Sequence, residues 1–292
     1  MTSPFAAASR FARRQMLRWQ AHARAREVVA PDAVGNDPAA IPAGQAIPYR
    51  CNLCGTTNRG TLAQLAREVP SCVRCGSTVR FRAMAYLVTL EVLGQPAALP
   101  DLAARPDITG LGLTDADAYA QPLANVFAYE NTWFHMEPRV DITQIDASRE
   151  QRYDFVLSSD VFEHVLPPVS RAFVNARRLL KPGGKFICTV PFNFEAQTLE
   201  HYPDLHDWTM AEVEGRWVLD NVTADGRVEH FENLVFHGGP GSTLEMRLFS
   251  LDALRREFDA AGFSRIRVAA EPWLPFGIHW PEPWSVPIVA YA

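Results

Sequence analysis

Apolar residues recur at helical spacing from Arg82 to Leu93, and Gly94 with Pro96 ends that run. Ser170 to Leu180 forms a second amphipathic helix, stopped by Lys181-Pro-Gly-Gly184. A third, Ser250 to Phe263, opens on a serine cap and closes on Gly262. Between these helices lie short apolar runs of strand length: Ile108–Leu113, Tyr153–Ser158 and Gly184–Val190, then Ile266–Ala269 and Ser285–Tyr291. Thr114 and Asp115 stand where they would cap the helix after the first strand.

Strand and helix in alternation predict an α/β fold, a doubly wound and mostly parallel sheet covered on both faces. Ligands on such sheets lie beyond the carboxyl ends of the strands. One segment breaks the alternation, the 55 residues Pro191 to Glu245. Val213–Asp220 and Val228–Phe236 read as a β-hairpin around Asn221–Gly226, whose Asp225-Gly226 is a turn signal. An insertion here would overhang the strand ends and form the acceptor pocket.

Ahead of the alternating part, Cys51-Asn-Leu-Cys54-Gly55 is repeated as Cys72-Val-Arg-Cys75-Gly76, with 17 residues between the pairs. That gap falls in the window of about 15–20 residues expected of a four-thiolate zinc ribbon. Two residues between thiolates let one tight turn aim both sulfurs at one ion, and the following Gly relieves crowding where the amides turn back toward sulfur. Four thiolates close a tetrahedral shell, so the site is structural. A redox C-x-x-C pair would need only one copy. Cys188, inside an apolar strand, reads as a buried residue. The chain divides into a head and Pro/Ala-rich linker (1–48), the ribbon (49–80) and a large domain (81–292) carrying the insertion 191–245.

Composition narrows the function classes. The 292 residues are 48% hydrophobic, enough for a full-sized core, and 28 Lys+Arg against 33 Asp+Glu leave a net charge of −5. A general duplex-binding surface needs a concentrated positive field, so nucleic acid is not the expected partner. The basic charge gathers in residues 1–30, where six arginines face Glu27 alone among Phe5, Phe11, Met16, Leu17 and Trp19. This is the pattern of a basic amphipathic helix, either packed on its own domain or in peripheral contact with an anionic membrane. No apolar run is long enough to span a bilayer, and paired C-x-x-C spacing suits a reducing compartment, so the reading is cytoplasmic.

The stretch Tyr153-Asp-Phe-Val-Leu-Ser-Ser-Asp-Val-Phe-Glu-His-Val165, followed by Leu179-Leu-Lys-Pro-Gly-Gly-Lys-Phe-Ile187, resembles the fourth and fifth strands of class I S-adenosylmethionine-dependent methyltransferases, of the type 11-like kind. The helix ending in Ala-Ala-Gly-Phe263 is similar to that family's last helix, and the resemblance covers about residues 108–292. The whole layout resembles bacterial methyltransferase-like proteins associated with surface-glycan synthesis. The resemblance implies S-adenosylmethionine as cofactor and methyl transfer to a sugar or glycan oxygen.

Carried over by position, it assigns Gly110 and Gly112 to the donor's methionine portion, Glu137 to the ribose with Glu130 in reserve, and Asp141 to the adenine side. Ser159 and Asp160 follow the fourth strand, where donor and acceptor meet. The chain departs from the pattern twice: the third glycine of the fingerprint is missing, and too few residues separate Glu137 from Asp141 for the usual helix. A non-catalytic binding protein on a degenerate scaffold, or an RNA methyltransferase guided by the ribbon, are the alternative readings. For the proton acceptor, the insertion offers His201 and His206, soonest after the fifth strand, and the fourth-strand loop offers His164. A second metal held by His201 and His206 lacks the helical i, i+4 pair that such a site commonly uses.

Overall fold

The computed structural model describes residues 36–292; the basic head lies outside the described residues. Strands β1 (Ala46–Arg50) and β2 (Thr57–Thr61) pair antiparallel beside the four cysteines. Helix α1 (Val79–Leu93) starts where Thr78 accepts the Phe81 N–H and stops at Gly94, whose left-handed φ of 76° a side chain would resist. There follow β3 (Arg105–Leu113), α2 (Asp117–Ala124), β4 (Phe127–Thr132), β5 (Tyr153–Ser159), α3 (Ser170–Leu179) and β6 (Leu180–Thr189). The segment after β6 forms a three-stranded meander: β7 (Asp207–Val213), β8 (Arg216–Val222) and β9 (Val228–Phe231). The chain closes with α4 (Leu251–Ala260), β10 (Arg265–Val268) and β11 (Ile288–Tyr291).

The main sheet runs β10-β11-β6-β5-β3-β4. β4, β3, β5 and β6 are parallel, while β11 enters antiparallel to both its neighbours. Period-two alternation sorts the strand side chains onto two layers. Val156, Phe186, Cys188, Ile288 and Ala290 join Phe173, Ala176, Leu254 and Phe258 of α3 and α4 in one cluster. Phe155, Leu157, Ile187 and Val289 join Met84, Leu87, Tyr119 and Leu123 of α1 and α2 in the other. The expected α/β fold with a mostly parallel sheet is thus present. Ile47, Tyr49 and Leu65 of the front module share the first cluster, so that module packs into the common core.

Two local readings change. Asp115 does not cap α2, whose N-cap is Ala116 and makes no side-chain bond; Asp115 is instead buried under the hydroxyls of Tyr119 and Tyr129. Val140–Thr143 is a turn, in which Asp141 accepts both the N–H and the hydroxyl of Thr143. The meander's first strand begins at Asp207, and the stretch read as one strand from Val213 is broken at Glu214-Gly215, both at positive φ.

Candidate functional site

The chain leaves β3 toward β4 on one side of the sheet and returns to β5 on the other. The reversal opens a crevice at the carboxyl ends of β3 and β5, the place where open α/β sheets bind ligands. The side chains gathered there are charged and almost wholly buried. Asp160, directly after β5, is 6% exposed and receives both oxygens' worth of hydrogen bonds from Arg67 Nη2 at 2.8 and 2.9 Å, with Arg80 at 3.6 Å. Thr189 at the end of β6 adds its hydroxyl at 2.8 Å. Burial pushes the Asp160 carboxyl up, but the two guanidiniums outweigh it and hold the group below the ordinary carboxylate range. Ser159 Oγ accepts from Arg80 Nη1 at 2.7 Å.

Across the crevice, Asp115 takes hydrogen bonds from the Tyr119 hydroxyl at 2.5 Å and from the Tyr129 hydroxyl. Burial raises its carboxyl to about 6, against the downward pull of the two phenols and Arg80. Gly112 belongs to this cluster because a Cβ there would strike the Tyr129 hydroxyl, with Asp115 Oδ2 at 2.6 Å and Asn131 Oδ1 at 2.8 Å. Gly110 faces the Phe155 ring, which a Cβ would overlap. Both glycines therefore allow close approach, and in this structure the groups that approach are the chain's own.

The remaining candidates are spread. Glu137 sits exposed in the turn between Trp133 and Val140, its carboxylate accepting from the Arg139 N–H at 2.9 Å. Glu130, on β4, pairs with Arg149 at 2.8 Å. Asp141 closes its own turn, as above. A cavity of 380 Å³ opens between the turn at Thr143–Ile145 and α3, and no candidate residue lines it. His206 is exposed at the entrance to β7, where its N–H donates to Asn221. His201 is half-buried with Nε2 3.5 Å from Glu245 and no hydrogen bond.

The structure does bring His164 together with two residues outside the sequence assignment. His164 ends the short turn Phe162–His164 after β5, next to Glu163, which is completely buried. His237 arrives from the insertion, 3.6 Å from the Glu163 carboxylate. Burial raises the Glu163 carboxyl, and Glu163 in turn raises His237. Arg67, Arg80, Asp115 and Glu163 were the omissions of the sequence reading, which had preferred His201 and His206 to His237 among the insertion's histidines. Adjacent Glu-His directly after an apolar strand was the available signal for Glu163; the arginines carried none, since Arg67 lies 93 residues from Asp160 and Arg80 lies 79 from Ser159.

The four ribbon cysteines converge, with Sγ atoms of Cys51 and Cys75 at 3.6 Å, those of Cys54 and Cys72 at 3.5 Å, and all four within 4.8 Å of one another. Each Cys-x-x-Cys-Gly closes on a bond from the glycine N–H to the first cysteine's carbonyl, at 2.8 and 2.9 Å, with Gly55 and Gly76 at positive φ. Burial drives the Cys51 thiol to about 12. It also pushes Cys72 up, but the N–H groups of Cys75 and Arg74 more than offset that and bring the thiol to about 6.

Sheet order, a single reversed last strand and the charged crevice define a methyltransferase-type α/β domain. The family model described as a methyltransferase domain matches residues 26–268, and the chain belongs to that family; it is an S-adenosylmethionine-dependent methyltransferase. Among solved structures it is similar to the sugar N-methyltransferase KedS8 from Streptoalloteichus sp ATCC 53650, at 14% identity over 74% of this chain and 88% of that one, TM-score 0.42. It is similar also to CalS10, an amino pentose methyltransferase from Micromonospora echinaspora, at 16% identity over 74% and 92%, TM-score 0.40. The 1,6-didemethyltoxoflavin-N1-methyltransferase of Burkholderia thailandensis aligns at 14% identity over 71% and 76%, TM-score 0.40. No curated protein matches the chain.

Proposed function

We propose that the chain methylates a hydroxyl of a sugar or glycan intermediate, with the donor's amino-acid end seated at the Asp160 cluster. The observation that carries this is the buried Asp160 flanked by Arg67 and Arg80 at the crevice between β3 and β5. Its charges suit a zwitterion: Asp160 for the ammonium, the guanidiniums for the carboxylate. Gly112 supplies the close backbone approach, once the Tyr129 hydroxyl turns out of the space it fills. S-adenosylmethionine supplies an electrophilic methyl carbon; the protein's part is to align the acceptor oxygen and take its proton. Asp115 and Ser159 line the crevice beside Asp160, and His164, directly after β5, stands closest in the chain to that edge among the three histidines proposed for the proton. His201, paired with Glu245, and His206 remain candidates from the insertion, which we take to cover the acceptor.

The ribbon, which we take as residues 49–80 ahead of the 81–292 domain, holds zinc in this reading. Thiolates 2.3 Å from a tetrahedral ion stand about 3.8 Å apart, close to the sulfur separations here. A role in binding RNA is disfavoured by the net charge of −5, and two of the arginines around the ribbon are spoken for: Arg50 pairs with Asp101, and Arg82, fully buried, donates to the carbonyls of Phe276 and Gly277.

Labelled donor incubated with a panel of sugar nucleotides and with RNA tests this reading. Label should enter a sugar with the parent protein and fall at least tenfold with Asp160→Asn. Label entering RNA, or equal transfer by Asp160→Asn, would overturn it.

A further inference from the structure

Glu163 is 0% exposed, and neither of its carboxylate oxygens has a hydrogen-bond partner. A buried carboxyl group left without partners is costly, so native structures normally give it a partner or a cation. The two nearest cation-binding groups are imidazole nitrogens, His237 Nδ1 at 3.6 Å and His164 Nε2 at 3.8 Å from the same oxygen. These separations are too long for hydrogen bonds. They are close to the spacing of about 3.4 Å between ligand atoms that share one tetrahedral ion.

The surroundings orient the set. His164 Nδ1 lies 2.8 Å from the Leu244 carbonyl, which can only accept, so the proton resides on Nδ1 and the Nε2 lone pair faces Glu163. Leu244 belongs to the two-residue ladder Phe236–His237/Thr243–Leu244 that also carries His237. The same segment is fastened to the turn after β5, where the Met246 N–H donates to the Glu163 carbonyl and the buried Arg247 donates to the carbonyls of Phe162 and Val165. Two histidines 73 residues apart in sequence are thus brought to one buried carboxylate by main-chain and side-chain bonds together. The His237 side chain is 43% exposed, which leaves the open side of the cluster toward solvent.

We propose that Glu163, His164 and His237 bind a divalent first-row transition-metal ion, separate from the ribbon, with coordination positions left open for acceptor oxygens. Two imidazoles and one carboxylate are a ligand set of nitrogen and oxygen, unlike the four sulfurs of the ribbon. Three protein ligands leave the shell incomplete, as in catalytic rather than structural sites. An acceptor with neighbouring hydroxyls would fill the open positions, and the ion would lower the pKa of the hydroxyl to be methylated. That last role rests on the methyl-transfer reading; the binding of the ion does not.

The test uses the full chain with its ribbon zinc-replete and no donor present. Cobalt(II) is added, and the protein is followed by visible absorption and, after desalting, by metal analysis. The parent should hold one cobalt per chain beside the ribbon zinc, with bands free of thiolate charge transfer, and should melt higher with the added ion. Glu163→Gln, which keeps the side-chain shape, and His237→Ala, at the exposed rim, should each weaken cobalt binding at least tenfold and lose the melting shift, while keeping ribbon zinc. His230→Ala, on β9, should behave as the parent. A parent that takes up no cobalt beyond displaced zinc, or variants that bind it as the parent does, would overturn the proposal.

Discussion

At the scale of single residues, the crevice is governed by burial. Folded Asp115 has its carboxyl raised to about 6, above the ordinary value near 3.9 of an unfolded chain. The folded state therefore binds this proton more tightly, and the group's contribution to stability falls as pH climbs from about 4 to about 6. Relative to Asp115→Asn, the parent should lose about 2–3 kcal/mol across that window, read from urea midpoints at a series of pH values. Equal pH slopes in parent and variant would contradict the burial. Gly112→Ala is expected to cost about 1–3 kcal/mol through overpacking against Tyr129 and Asp115, measured by the same unfolding curves. Residue chemistry was the least legible layer of the sequence. Asp115 resembles a helix cap by position, and only the folding of β4 alongside β3 brings Tyr129 over it. Asp160 was legible from its place after an apolar strand, but its arginine partners were not.

At the scale of elements, local signals served where they are chemically strict. Ser250 capping α4, Gly94 ending α1 and the doubled Cys-x-x-Cys-Gly all take the form that their residue types predict. The strand over Val213–Asp220 was misread because a turn with a non-glycine residue at positive φ, Glu214, leaves no Pro or Asn-Gly mark. For the ribbon, Cys72→Ser should remove the metal from a four-sulfur shell. Zinc content should fall from one to near zero at the ribbon, and the melting temperature should drop by several degrees. Unchanged melting after loss of the zinc would show that the packing of Ile47, Tyr49 and Leu65 alone carries the module.

At the scale of the whole molecule, the front module and the sheet meet at the crevice. Arg67 and Arg80 come from the chain around the ribbon and the start of α1, yet their partners Asp160 and Ser159 end β5. Ribbon integrity and donor binding should therefore be coupled: chelating the zinc should weaken donor affinity, with the linkage reciprocal. No helix among the described residues is long and apolar enough to cross a membrane. The α/β class was legible from alternation of apolar periods, whereas the coupling of module to crevice depends on contacts between distant parts of the chain.

The central claim is that the Asp160 crevice binds the methyl donor. Calorimetric titration of the zinc-replete full chain with S-adenosylmethionine and with S-adenosylhomocysteine tests it most directly. One site per chain is expected for both ligands, weakened at least tenfold in Asp160→Asn. A folded, zinc-replete protein that binds neither ligand would contradict the account.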